Sequence, residues 1–70
     1  MQILVLGANG QVGFELVRSL APLGVLQATT RSGRLPGGGA CHALDIAEAD
    51  AVTALIERIA PDVVVNAAAY

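Results

Sequence analysis

Residues 7–13 read Gly7-Ala8-Asn9-Gly10-Gln11-Val12-Gly13 and place a glycine at every third position. A short apolar run, Ile3 to Leu6, comes directly before this segment, and a mixed apolar and polar pattern follows it. The run predicts a buried strand over residues 2–6, and the later pattern predicts a helix over residues 11–21. The segment is therefore a glycine-rich turn that joins a strand to a helix.

This turn has the properties of a pyrophosphate-binding site, because a helix start offers unpaired N–H groups and the positive end of the helix dipole. Gly7 lets the chain leave the strand sharply, and Gly10 removes a Cβ where phosphates approach. Gly13 lets the helix pack closely on the strand. The spacing differs from Gly-x-Gly-x-x-Gly by one residue in the turn. A purely structural turn is the alternative, and the flanking strand and helix favour binding.

Two amphipathic helices are predicted from apolar residues that recur at helical spacing. Pro22 and Gly24 end the first helix, residues 11–21. The second helix spans about residues 48–60, and Pro61-Asp62 ends it. The apolar faces consist of Val12, Leu16, Val17 and Leu20 on the first helix and of Val52, Leu55, Ile56 and Ile59 on the second.

Three further strands are predicted, over residues 25–30, within 41–44 and over 63–66. A glycine-rich loop, residues 31–40, separates the first two of them. Strand–helix–strand units of this kind are typical of a parallel sheet with right-handed crossovers. The sequence therefore predicts the α/β class: a Rossmann-type doubly wound parallel sheet, β-α-β-β-α-β, with strand order 3-2-1-4 and one helix on each face.

A second signal comes from Asn66-Ala67-Ala68-Ala69-Tyr70, which follows the last predicted strand. In the order 3-2-1-4 the ligand crevice lies between the first and fourth strands, outside their carboxyl ends. The glycine turn and residues 66–70 meet there. Small side chains at Ala67, Ala68 and Ala69 would let the backbone lie against a ring or a ribose. Ordinary close packing of these alanines is the alternative.

The residues after the second strand indicate which dinucleotide would bind. An acidic residue there favours NAD, because it bonds to the hydroxyls of the adenosine ribose, whereas an Arg favours NADP, because it binds the 2′-phosphate. The chain has Thr29-Thr30-Arg31-Ser32-Gly33-Arg34 and carries no acid between residues 16 and 44. Arg31, assisted by Ser32 and Arg34, is therefore predicted to bind the 2′-phosphate, since Arg pairs with phosphate in a bidentate way. NADP(H) is favoured over NAD(H), and two solvated loop arginines are the alternative.

Asp45-Ile46, just after the third strand, has two interpretations. Asp45 could accept a hydrogen bond from the adenine amino group while Ile46 contacts the ring. Alternatively, Asp45 caps the second helix, because Asp45 and Glu48 have the spacing of a capping box. The sequence favours neither.

Charge and cysteine content exclude several functional classes. A net charge of −2, without any Lys, is a poor match to nucleic acid. The apolar run at residues 3–6 is too short for a signal peptide or a membrane span. Cys41 is the sole cysteine, which is typical of a reducing, cytoplasmic setting. Cys41 and His42 lack partners at metal-ligand spacing, so no metal site is expected.

Length and composition indicate part of a larger domain. Of the 70 residues 54% are hydrophobic, mostly Val, Leu, Ile and Ala, as in strands buried on both faces. So short a chain cannot cover such a sheet, and the strand at 63–66 would be an open apolar edge. We expect residues 1–70 to be the N-terminal part of an NAD(P)-binding Rossmann domain, with the substrate domain elsewhere.

Four motifs together span nearly the whole chain: the glycine turn, Leu20-Ala-Pro-Leu-Gly24, Asp45-Ile46 and Pro61-Asp-Val-Val-Val-Asn-Ala-Ala-Ala-Tyr70. In combination they resemble the N-terminal part of the dTDP-4-dehydrorhamnose reductase family, within the extended short-chain dehydrogenases/reductases. The resemblance implies an NADPH-dependent reduction of the 4-keto group of dTDP-4-dehydro-L-rhamnose to dTDP-L-rhamnose, for polysaccharide biosynthesis. The dTDP-sugar is the implied partner. The sequence does not decide whether the protein forms a homodimer.

The resemblance also implies which residues contact the cofactor. The glycine turn would contact the pyrophosphate, the loop after the second strand the 2′-phosphate, and residues after the last strand the ribose and nicotinamide. The implied residues are Gly7, Asn9, Gly10, Gln11 and Val12 for pyrophosphate, Arg31 for the 2′-phosphate, Asp45 and Ile46 for adenine, and Ala67, Ala68 and Tyr70 for the ribose and nicotinamide side. Many members of the family carry Asp where Thr30 stands, so strict use of NAD is not expected.

The family's catalytic pair, Tyr-x-x-x-Lys, has no counterpart in this sequence, which contains no Lys. Tyr70 belongs to a different motif. The 70 residues alone are therefore expected to be inactive and to supply part of a cofactor site. Another extended reductase or epimerase of nucleotide sugars, a non-catalytic NADP(H)-binding module and a poorly folded fragment are the alternatives.

Overall fold

The computed structural model describes residues 1–8, 11–35 and 41–67. Every predicted helix and strand lies within one residue of its predicted bounds. In chain order they are β1 (Gln2–Leu6), α1 (Gln11–Leu20), a 3-10 turn (Ala21–Leu23), β2 (Val25–Thr30), β3 (His42–Ala43), α2 (Ala49–Ile59) and β4 (Val63–Asn66).

The helix ends differ from the prediction by one residue, for identifiable reasons. α1 ends at Leu20 because Pro22 lies in the 3-10 turn that follows, and proline cannot donate the N–H bond that an α-helix needs. α2 begins at Ala49, since Glu48 has the non-helical backbone of an N-cap (φ −91°, ψ 89°). It ends before Ala60, which is left-handed (φ 49°) and donates its N–H to Ile56 O.

The sheet has four strands in the order β3-β2-β1-β4, and all the pairs are parallel. Gln2 pairs with Val25, and Ile3 pairs with Val63 on the other side of β1. This is the predicted order 3-2-1-4, so the Rossmann-type doubly wound α/β class is confirmed. β4 pairs with β1 alone within the described ranges, and its Val63 and Val64 are exposed, as expected of an edge strand.

The two helices cover opposite faces of β1, whose side chains alternate between the faces. Ile3 and Val5 pack with α1 through Leu16, Val17 and Leu20. Leu4 and Leu6 pack with α2 through Leu55, and Val52, Ile56 and Ile59 join this second cluster. Placing one helix on each face leaves β1 almost fully buried, with Leu4 and Val5 at 0% exposure.

Val12 departs from the predicted apolar face of α1, because its side chain is 62% exposed. The first turn of α1 packs, through buried Gly13, against the backbone of Gly7 and Ala8, which follow β1. Successive helical residues are rotated by about 100°, so the neighbouring Val12 points away from that contact. The prediction of a buried Val12 was wrong, and exposure leaves this side chain accessible to a ligand.

No helix in the described part of the chain has the length and apolarity needed to cross a membrane.

Candidate functional site

The carboxyl ends of the four parallel strands lie at one edge of the sheet. Gly7 follows β1, Arg31 follows β2, Asp45 lies shortly after β3, and Ala67 follows β4. The parallel order therefore brings residues from four distant segments to the same edge, where open α/β sheets bind ligands. The crevice between β1 and β4 is the point at which the strand order reverses.

Gly7 begins the turn between β1 and α1 with a left-handed backbone (φ 73°), which residues with a Cβ seldom adopt. The turn is bonded to the neighbouring strand. Gly7 N donates to Thr29 Oγ1 at 3.3 Å, and Ala8 N donates to Thr29 O at 2.8 Å. Since Ala8 is fully buried, the path of the chain out of β1 is fixed by β2.

Gly13 brings the first turn of α1 against the backbone of this segment. A Cβ at Gly13 would lie 2.7 Å from Ala8 Cα, 2.7 Å from Gly7 O and 2.9 Å from Ala8 C. These three contacts involve backbone atoms, which cannot move aside as a flexible side chain can. The close packing predicted for Gly13 is therefore confirmed.

Several predicted contacts fall outside the described residues. These are Asn9 and Gly10 in the glycine turn and Ala68 and Tyr70 after β4, together with the side chain of Gln11. Their roles remain sequence predictions.

Arg31 and Asp45, which the sequence assigns to the two ends of an adenosine site, form an ion pair. Arg31 Nη2 donates to Asp45 Oδ2 at 3.3 Å. The Arg31 side chain is 81% exposed and that of Asp45 is 36% exposed, so this pair is a weak contributor to stability. The position of the ion pair matters more for the site, because it places the cationic side chain of Arg31 at the carboxyl end of β2.

Asp45 does not cap α2. Its Oδ1 accepts from Ala47 N at 3.0 Å, and its carbonyl accepts from Glu48 N at 2.9 Å. These bonds form a turn that delays the helix start to Ala49. Glu48 is the N-cap residue, and its side chain makes no cap hydrogen bond. The capping-box interpretation is therefore wrong, whereas the adenine contact stays a prediction for Asp45 and for Ile46, which is 40% exposed.

Two threonines that close β2 were not predicted to shape the site. Thr29 and Thr30 are buried, with 0% and 1% exposure. Thr29 Oγ1 accepts from Gly7 N and donates to Val5 O, whereas Thr30 Oγ1 contacts the loop that follows. A sequence signal existed, since two successive hydroxyls at the end of a buried strand require partners.

Ser32 and Arg34 lie in that loop and are exposed. Arg34 is tied by its backbone, because Thr30 Oγ1 accepts from Arg34 N at 2.9 Å and donates to Arg34 O at 3.0 Å. Ser32 Oγ lies 3.5 Å from Thr30 Oγ1. The structure thus places three predicted phosphate-binding residues, Arg31, Ser32 and Arg34, on one hydrogen-bonded loop.

Ala67 lies on the opposite side of the crevice and belongs to the core cluster of Ile3 and Val5. Its N–H donates to Leu6 O at 2.9 Å. Because its side chain is 9% exposed, close packing accounts for a small residue here. A contact of Ala67 with the cofactor stays a prediction.

Cys41 and His42 have partners within the sheet. Cys41 Sγ lies 3.4 Å from Thr30 Oγ1, and His42 Nε2 lies 2.8 Å from Gln27 Oε1. Within the described ranges, no three His, Cys, Asp or Glu side chains are grouped to hold a metal ion.

A groove of about 370 Å³ lies between β3 and α2 and is lined by His42, Leu44, Leu55 and Arg58, among others. None of the predicted site residues that lie in the described ranges lines it. The groove is therefore separate from the described part of the candidate crevice.

Comparison with known proteins identifies the family. The family model described as RmlD substrate binding domain matches residues 1–70. The chain belongs to this family. A dTDP-4-dehydrorhamnose reductase of Burkholderia thailandensis is 46% identical over all 70 residues, which cover 20% of that relative. Reductases of the same name from Shigella flexneri and Escherichia coli are each 43% identical over the whole chain, which covers 21% of each.

The chain therefore spans about a fifth of the length of these curated relatives. The resemblance noted from the sequence motifs is confirmed, and it applies to the N-terminal portion of the relatives.

Proposed function

We propose that this chain forms part of the NADPH site of a reductase that converts dTDP-4-dehydro-L-rhamnose to dTDP-L-rhamnose. The observation that carries the proposal is the meeting, at one sheet edge, of a hydrogen-bonded glycine turn and a loop with Arg31 and Arg34. The names of the relatives support the choice of reaction.

The glycine turn would hold the pyrophosphate. The close approach at Gly13 leaves no Cβ between the start of α1 and the turn. The first turn of α1 contains no acidic residue, so no carboxylate there repels an anion. Unpaired N–H groups and the helix dipole then favour phosphate at this end of α1.

The loop after β2 would distinguish NADPH from NADH. It contains two arginines and no acid, and the side chain of Arg31 is 81% exposed. A guanidinium offers paired donors that match phosphate oxygens. NADH has no 2′-phosphate, so it would gain nothing from these arginines.

NADPH, when bound, supplies the hydride that reduces a carbonyl carbon. The residues of this chain would bind and orient the cofactor for that transfer. The sequence holds no Lys and no Tyr-x-x-x-Lys pair, so the proposal assigns proton donation to none of its residues.

The proposal is tested with a chimaera in which this chain replaces the matching N-terminal fifth of the Burkholderia thailandensis relative. We expect the chimaera to oxidise NADPH when dTDP-4-dehydro-L-rhamnose is added, with kcat/KM at least about tenfold higher for NADPH than for NADH. Omission of the sugar is the control and should stop the oxidation. A folded chimaera that binds neither cofactor, in parallel with an isolated chain that binds neither, would contradict the proposal.

Asp45→Asn tests how the ion pair affects the cofactor. The substitution keeps an oxygen for the Ala47 N–H but removes a negative charge beside Arg31. Because that charge opposes a phosphate, we expect the Kd for NADPH to fall about threefold and that for NADH to stay within about twofold. Titration calorimetry of the chimaera measures both constants.

Glu57→Gln, at an exposed position of α2, is the matched control for the loss of one carboxylate and should change neither constant. Equal weakening of both cofactors by Asp45→Asn would instead mean that the carboxylate bonds to a group common to both, such as the adenine amino group.

A further inference from the structure

Thr30, the last residue of β2, anchors the loop that carries Arg31, Ser32 and Arg34. Its side chain is buried, at 1% exposure. Oγ1 accepts from Arg34 N at 2.9 Å and donates to Arg34 O at 3.0 Å. The loop therefore returns, after four residues, to the hydroxyl from which it starts.

The bonding capacity of this hydroxyl matches its surroundings. A threonine hydroxyl has one proton and two acceptor lone pairs. Arg34 O receives the proton and Arg34 N–H takes one lone pair, which leaves one acceptor position. Two groups able to donate face it, Ser32 Oγ at 3.5 Å and Cys41 Sγ at 3.4 Å. Valine has the same shape but could make none of these bonds.

Backbone bonds hold the loop from a second side. Thr30 O accepts from Gly33 N at 3.3 Å and from Leu44 N at 2.9 Å. The second of these bonds ties the end of β2 to the residue that follows β3. Arg31 and Ser32 thus lie between two anchored points, Thr30 and Arg34, while their own side chains face solvent.

We infer that Thr30 is a positioning residue that sets the preference for NADPH over NADH without touching the cofactor. The inference rests on the proposed function and adds to it the residue that orders the 2′-phosphate loop. A loop that is ordered before binding loses less conformational entropy when the ligand binds. NADH has no 2′-phosphate, so its affinity does not depend on the order of this loop.

The test compares Thr30→Val and Thr30→Ser with Thr29→Val. We expect Thr30→Val to raise the Kd for NADPH about tenfold and to leave the Kd for NADH within about twofold. Thr30→Ser, which keeps the hydroxyl, should bind NADPH with a Kd close to that of the wild type. Thr29→Val removes a hydroxyl that is equally buried but bonds to Gly7 N, so it should weaken both cofactors alike.

Both constants are measured by titration calorimetry on the chain and on the chimaera. Amide hydrogen exchange of Arg34, followed by NMR without cofactor, reports the loop directly, and Thr30→Val should accelerate it. Faster exchange with an unchanged Kd for NADPH would overturn the positioning role while the proposed function stands. An equal rise in the Kd values for both cofactors in Thr30→Val would also overturn the inference, because it would show that Thr30 supports the fold in general and not the 2′-phosphate loop. A wild-type protein that binds neither cofactor would refute the proposed function and this inference with it.

Discussion

Gly13→Ala is expected to destabilise the fold and to abolish binding of NADPH and NADH alike. The new Cβ would lie 2.7 Å from Ala8 Cα and from Gly7 O, distances that no rotamer change relieves. Alanine favours a helix over glycine by about 1 kcal/mol, whereas forcing atoms into a packed interior costs about 1–3 kcal/mol or more. The contacts here are with backbone, so the steric cost lies at the upper end of this range, about 3 kcal/mol, and exceeds the helical gain.

The second consequence concerns the ligand. Relief of the clash requires α1 to move away from the turn, and this displaces the N–H groups that would bind phosphate. We therefore expect a net loss of about 2 kcal/mol in the free energy of unfolding and a loss of both cofactors. Urea unfolding and titration calorimetry measure the two effects.

Ser19→Ala is the control for Gly13→Ala, because Ser19 is exposed on the same helix and its change adds helix propensity without a clash. Stability at or above that of the wild type for Gly13→Ala would show that α1 does not contact the turn as closely as described.

The sheet and its helices could be predicted because their signals are local. The run from Ile3 to Leu6 and the apolar faces of the two helices depend on spacing within a few residues. The strand order followed from connection rules for parallel strands, and the structure has that order. The exposure of Val12 was missed because periodicity gives a face but not the point at which the sheet beneath it ends.

The candidate site was predicted in its residue types but not in its internal bonding. Asp45 has the local spacing of a helix cap, yet its carboxylate meets Arg31, 14 residues away in sequence. Thr30 bonds to Cys41, 11 residues away, as well as to Arg34. Such contacts depend on how strands β2 and β3 align, which no short segment encodes. The hydrogen bonds by which Thr30 Oγ1 holds the loop could therefore be recognised only in the folded structure.

Arg31→Ala is expected to weaken NADPH selectively. A hydrogen bond to a charged group contributes about 1.5–3 kcal/mol, which corresponds to roughly a ten- to hundredfold rise in the Kd for NADPH. The Kd for NADH should stay within about twofold, because NADH lacks the group that Arg31 would bind. Binding of both cofactors to the chimaera is measured by titration calorimetry.

Arg58→Ala provides the matched control. Arg58 lies in the last turn of α2 and lines the groove between β3 and α2, which none of the described predicted site residues lines. Its loss should leave both constants unchanged. Stability should hardly change in Arg31→Ala, since its pair with Asp45 is exposed and such pairs contribute about 0–1 kcal/mol. A selective loss of NADPH therefore reports recognition of the 2′-phosphate rather than unfolding, and an equal loss of both cofactors would exclude that role for Arg31.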